Sequence, residues 1–157
     1  MIRQQSEVCC GKDASLSSLV QAMHGQGPNP ILMASSLAYL IPMIAALQSN
    51  AFYAAVVSAN LMVTSVLYHW SKDPHYFWVD QVAVYLYLVA AVYESFFKGK
   101  TSHQILVAVM GVYATCVYHF GKAHECYVWD TDCSVATQHH AAMHMVSAVA
   151  GSTLFLT

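Results

Sequence analysis

Polar residues punctuate this chain more than they pattern it. From residue 30 onward, long apolar stretches alternate with short polar breaks, and none carries the one-sided polar face of a helix that lies on a water-soluble core. Five stretches approach the roughly 20 residues needed to span a hydrocarbon layer. The first runs from about Ile31 to Leu47 and follows Asn29-Pro30, a capping residue with proline at the first helical position. The second runs from about Ala51 to Trp70, after the break Gln48-Ser49-Asn50. A third, about Phe77 to Phe97, follows a second cap-and-proline pair, Asp73-Pro74. The fourth covers about Ser102 to Phe120 after Lys98-Gly99-Lys100-Thr101, and the fifth about Gln138 to Leu156. This pattern predicts an all-α fold: a polytopic membrane bundle of about five transmembrane helices, with residues 1–29 as a mobile tail and 30–157 as one domain.

Composition strengthens that reading. Of 157 residues, 57% are hydrophobic and only 9% charged, against about a quarter charged in an ordinary soluble domain. A formal net charge of -2 offers no basic face for nucleic acid. Residues 1 to 30 lack an apolar core of signal-peptide length, so the first helix itself is expected to direct membrane insertion. Arg3, Lys12, Lys72 and Lys122 fall on the side of the N-terminus, and Lys98 and Lys100 on the other. The positive-inside bias weakly favours the N-terminal side as cytosolic, although Lys98 and Lys100 crowd a membrane boundary. Five cysteines show no zinc-knuckle spacing. Cys126 and Cys133 flank a short polar loop that suits either a disulfide in an oxidising compartment or two free thiols.

Ionisable groups at membrane depth are expensive, and each is a functional candidate by default. The second helix closes with Ser65 and His69, one turn apart on one face, and Asp80 lies near the start of the third. The fifth opens with His140-Ala141-Ala142-Met143-His144, two imidazoles at i and i+4, a spacing from which one helix face can ligate one metal ion. Helix parity puts all four of His69, Asp80, His140 and His144 at the same membrane side. Three neutral imidazoles leave an open fourth position, the usual arrangement of catalytic zinc. Each residue also has an ordinary role: serine at a helix interface serves close packing, histidine can sit at the membrane edge, and His-x-x-x-His arises by chance among nine histidines. His119 and His124 are rival ligands at the same end; His139 points about 100 degrees from His140. His24, His75 and His103 read as surface or interfacial, and Tyr76-Phe77-Trp78 and Trp129 as interfacial aromatics.

Taken as a set, Ser-x-x-x-His closing one helix, Asp opening the next and His-x-x-x-His opening the last resembles the CREST superfamily. That group comprises alkaline ceramidases, progestin and adipoQ receptors, haemolysin-III-like proteins, related lipid remodelling factors and myomaker-type proteins. The short stretch between His69 and Asp80, and the small residues Gly151-Ser152 after the histidine pair, are most similar to the alkaline ceramidases. The resemblance implies zinc held by His69, His140 and His144, with Asp80 and Ser65 as catalytic groups beside the metal. Members of the superfamily have seven helices; the stretch from Lys98 to Thr137 has room for one where they have three. Losing a pair preserves parity and so the convergence of the motif, but removes part of a lipid cavity. An acidic N-terminal segment like the one ceramidases place around the sphingoid head group is also missing.

The expectation that follows is a zinc-dependent integral membrane hydrolase that cleaves a lipid amide or ester bond with water activated at the metal. The alternative is a non-enzymatic membrane protein, receptor-like, fusion-related or a scaffold, in which zinc is structural; a third is a plain bundle whose histidines pack. The partner in the first case is a membrane lipid, not a nucleic acid. A homo-oligomer would cover polar groups that so short a bundle exposes to lipid, though no motif specifies one.

Overall fold

The computed structural model describes residues 28–71, 73–97, 100–130 and 132–156, all helix, turn or loop, so residues 1–27 of the expected 1–29 tail, with His24, lie outside the described residues. The architecture is all-α. Helix α1 spans Pro30–Gln48, with a tighter 3₁₀ turn at Leu37–Tyr39; α2 spans Phe52–Ser71 and α3 Pro74–Phe97. Helix α4 covers Thr101–Thr115 and runs on through a π-helical turn, Cys116–Phe120, to Gly121–His124. A short turn at Tyr127–Trp129 leads into α5, Cys133–Phe155.

Four of these five segments, α1, α2, α3 and the stretch Thr101–Trp129, are long and apolar enough to cross a membrane. The outward side chains agree, since Phe97 is 77% exposed, Val56 67% and Val89 65%. Large apolar groups turned outward at this density call for lipid rather than water. Helix α5 is 23 residues long but is not among the four. Its first half is where Ser134, Thr137, Gln138, His139, His140 and His144 lie, and these dilute its apolar character.

Local chemistry sets the helix ends. Asn29 Oδ1 accepts the backbone N–H of Leu32 at 3.1 Å, and Pro30 takes the first turn of α1, the cap the sequence indicates. At the other end, Ala51 N donates to Ala46 O and Asn50 N to Leu47 O, with Asn50 left-handed at φ 57. This is a Schellman closure, and asparagine is the non-glycine residue that tolerates it best. Asp73 Oδ1 accepts from His75 N at 2.7 Å at the start of α3.

Two boundaries differ from the sequence reading. Helix α5 begins at Cys133 rather than Gln138, because Asp132 accepts from Ser134 N and Val135 N and so caps a polar first turn that carries no apolar signal. Helix α4 extends past Phe120, and its π-helical turn leads to Gly121, where an added Cβ would meet the Cys126 carbonyl oxygen at 2.7 Å. Only glycine lets the returning chain come that close. Cys126 is a free thiol and Cys133 is disulfide-bonded, so the two are not joined to each other.

The core is built from small residues. Ala46, Ala54, Ala83 and Ala148 are fully buried, with Ser36, Ser58 and Ser95 among them. Small side chains let helices approach closely where lipid removes the hydrophobic drive for their association. Tyr39, Leu61, Tyr87 and Phe155 fill the remaining space, and Tyr87 stacks edge-on to both Tyr39 and Phe155. Helix α1 packs against both α2 and α5, whereas the α2 and α5 backbones make little direct contact with each other. Helix α4 is peripheral: no residue of Thr101–Thr115 is buried, and it leans on α3 and α5.

Candidate metal centre

Three imidazoles meet between the end of α2 and the start of α5. His69, in the last turn of α2, lies with its ring centroid 4.9 Å from that of His140 and 5.4 Å from that of His144. His140 and His144 are one helical turn apart on α5, with centroids 4.8 Å apart. One ligating atom from each of the three lies within 4.8 Å of the others. A tetrahedral zinc with Zn–N distances of about 2.0–2.1 Å needs nitrogens roughly 3.4 Å apart. Closing the trio therefore takes side-chain rotations of about an ångström, with no change of fold. Neutral imidazole is a standard zinc donor, so the residues fit the ion. His69 and His144 are buried while His140 is half-buried.

Asp80, buried on α3, is not part of the ligating group. Thr64 Oγ1 donates to its Oδ1 at 3.2 Å, and the Ser65 hydroxyl is also hydrogen-bonded to the carboxylate. Ser65, 1% exposed, lies with its Oγ 3.2 Å from Ser36 Oγ. The carboxylate is thus oriented by two hydroxyls of α2, adjacent to the turn that carries His69. All five residues singled out by the motif, Ser65, His69, Asp80, His140 and His144, occupy one end of the bundle.

The other described histidines stay apart from the trio. His119 and His124 are exposed and pack their rings on Tyr118 and Phe120, at 5.5 and 4.1 Å. His139 turns to Tyr127, 5.3 Å between centroids. His75 is exposed, and His103 Nδ1 accepts the backbone N–H of Lys100 at 3.4 Å. Two of the aromatics expected at the interface are instead internal. Phe77 is buried against Tyr68, 5.5 Å away, and Trp129 against Tyr118, 5.3 Å away, with the Lys122 ammonium 5.3 Å above the indole. Trp78, at 58% exposed, keeps the outward position.

Helix α1 contributes groups that the hydropathy pattern does not reveal. Ser35 Oγ lies 2.9 Å from His144 Nδ1 and Ser36 Oγ 3.4 Å from the same atom. Tyr39 stands beside the His144 ring, 5.9 Å between centroids. Asn29 gathers the helix ends around the site: its backbone N–H donates to His69 O at 3.1 Å and its Nδ2 to Thr137 Oγ1 at 3.0 Å. The available signal was the pair Ser35-Ser36 inside an otherwise apolar stretch; serines there are also what plain helix packing uses, and spacing alone does not tell the two apart.

Comparison with known protein families, with curated proteins and with solved structures gives no match for this chain. The chemistry of the site therefore has to be read from its own residues.

Proposed function

We propose that this chain is a multi-pass integral membrane protein whose three histidines hold zinc, and that it hydrolyses an amide or ester bond of a membrane lipid, as its resemblance to the CREST superfamily and its alkaline ceramidases implies. The observation that carries the reading is the division of labour at the site. Three imidazoles form a ligating group, and a buried carboxylate hydrogen-bonded by hydroxyls of α2 lies at the same end of the bundle without joining it. Zinc bound there would supply Lewis acidity, which lowers the pKa of a bound water towards neutrality and polarises a carbonyl. The protein's own part is to position and to move a proton. Asp80, fixed by Thr64 and Ser65, is placed to accept a proton from a water beside the histidines. The Ser65 hydroxyl, fully buried, would hold Asp80 in register or hydrogen-bond the carbonyl oxygen of a substrate. His140 is the half-buried member of the trio. The apolar exterior suits a substrate that arrives through the bilayer rather than from water.

One observation favours a second reading. The α2 and α5 backbones scarcely touch, and the histidine rings meet across the gap between them. A zinc joining His69 to His140 and His144 would staple those helices, and a structural metal contributes directly to folding stability. In that case the protein would be a receptor-like, fusion-related or scaffolding membrane protein.

Zinc quantification of purified protein beside the His140→Ala/His144→Ala double variant tests both readings. Zinc that is absent, or unaffected by the double substitution, refutes both. With zinc present, Asp80→Asn and Ser65→Ala decide between them. Loss of hydrolysis across a panel of ceramides and lipid esters, with metal and thermal stability retained, supports the hydrolase. Wild-type protein that is inert on the panel, and unfolds when stripped of zinc, supports the staple.

A further inference from the structure

We infer that Ser35 is a positioning residue for the metal centre: it fixes the His144 ring in the tautomer whose Nε2 carries a bare lone pair. The inference rests on the zinc reading above for its purpose, but its structural half stands on hydrogen-bond geometry alone. Ser35 Oγ donates its single proton back to Leu32 O, at 3.0 Å, the common i−3 bond of a helical serine. Where both contacts are satisfied together, that proton goes to Leu32 O and Ser35 can only accept from His144, whose Nδ1 is 2.9 Å away. The hydrogen between them therefore belongs to Nδ1. A neutral imidazole carries one N–H, so Nε2 is left as the lone-pair nitrogen, and which nitrogen ligates a metal is set by the bond the other one makes.

The neighbouring serine has a different task. Ser36 Oγ is 2.8 Å from Leu32 O and 3.2 Å from Ser65 Oγ, but its 3.4 Å distance to His144 Nδ1 is long for a bond of its own. Ser36 thus supports the Ser65–Asp80 arm and Ser35 the histidine arm. Helix α1 contributes no ligand, yet with this pair it orients both halves of the site. Burial reinforces the assignment. Ser35 and His144 are 9% and 5% exposed, which limits competition from solvent for Nδ1, and Tyr39 restrains the ring from the side.

Two measurements on the full chain test this, one of them independent of metal. Metal-free protein labelled with ¹⁵N-histidine should show His144, identified by the loss of its signals in His144→Gln, protonated at Nδ1 and unprotonated at Nε2. Ser35→Ala should shift that ring towards the other tautomer or a mixture, while Ser35→Thr, which keeps the hydroxyl, should preserve it. Zinc affinity measured by competition with a chelating dye should weaken about 10–100-fold in Ser35→Ala, the usual range for loss of a ligand-orienting partner, and change little in Ser35→Thr. An Nε2-protonated His144 in the wild type, or unchanged tautomer and affinity in Ser35→Ala, overturns the inference. Wild-type protein with the Nδ1-protonated ring that binds no zinc overturns the metal reading instead, and with it the purpose assigned to Ser35.

Discussion

Adding one methyl group to α5 gives a sharp test of how this bundle is packed. At Gly151 an added Cβ would lie 1.7 Å from the Tyr87 hydroxyl oxygen, 2.8 Å from Tyr87 Cζ and 3.3 Å from Pro42 Cβ. Ordinary carbon contacts sit at about 3.5–4.0 Å, so in Gly151→Ala the Tyr87 hydroxyl must withdraw by roughly 2 Å. It has little freedom to do so. The ring is buried, edge-on to Tyr39 at 5.4 Å and Phe155 at 5.9 Å, and its hydroxyl donates to Ser147 O at 3.2 Å. Overpacking of this kind costs about 1–3 kcal/mol, and the lost hydrogen bond about 1 kcal/mol more. The better helix propensity of alanine returns about 1 kcal/mol, leaving a net loss of about 1–3 kcal/mol. Gly111, in α4, is the internal control: nothing stands within 4 Å of its added Cβ, so Gly111→Ala should be stabilising by up to about 1 kcal/mol. Equilibrium unfolding in mixed detergent micelles, followed by tryptophan fluorescence, reads both. Tyr87→Phe removes the atom at 1.7 Å and should recover about 1 kcal/mol or more of the Gly151→Ala loss as a double-mutant coupling. A Gly151→Ala protein as stable as wild type, or strict additivity with Tyr87→Phe, would refute this account of the α3–α5 contact.

The same unfolding assay checks three further substitutions. Asn29→Ala removes the α1 cap and the bond to Thr137 and should cost about 2 kcal/mol; Asn29→Ser should recover the cap's share only. Asp132→Ala removes the side chain that accepts from Ser134 N and Val135 N and should cost about 1 kcal/mol, with faster amide exchange confined to the first turn of α5. Exchange unchanged there would mean that packing alone holds the turn. Glu125 is left-handed at φ 51 and ψ 46, a conformation that strains a residue bearing a Cβ, so Glu125→Gly should stabilise by about 1 kcal/mol. A loss of stability instead would show that the Glu125 side chain makes a compensating bond.

The helices were legible in the sequence because lipid imposes so coarse a rule. A run of apolar residues near 20 long leaves little else to be, and the pairs Asn29-Pro30 and Asp73-Pro74 marked two starts to within a few residues. The same rule misled at α5, where the run begins at Gln138 but hydrogen bonding begins at Asp132. Polar helix residues give no hydropathy signal, and only the cap marked the true start. At the site, His69, His140 and His144 were legible because buried ionisable groups are rare in such segments, and topology assigned them to one end. The serines of α1 were not, since Ser35 and Ser36 have the character of packing residues until the rings they face are placed. Nor does spacing say that Phe77 and Trp129 turn inward while Trp78 turns out. Those choices depend on which neighbour offers a ring to pack on.

The position of Asp80 bears most directly on whether a metal here would do chemistry. A staple needs ligands from two helices, and His69 with His140 and His144 already provide them. It has no use for a carboxylate that stands outside the ligating group. Burying such a group at membrane depth is costly, and the fold offsets the cost with specific donors, Thr64 and Ser65, the latter backed by Ser36 from a third helix. If structure were the only requirement, a threonine or asparagine at position 80 could hydrogen-bond the same hydroxyls without the charge. A carboxylate oriented from α2 at the same end of the bundle as three imidazoles would suit proton transfer at a metal held there. Asp80→Asn keeps the shape and removes the basicity, so its effect on hydrolysis at constant zinc content is the measurement on which the two readings part.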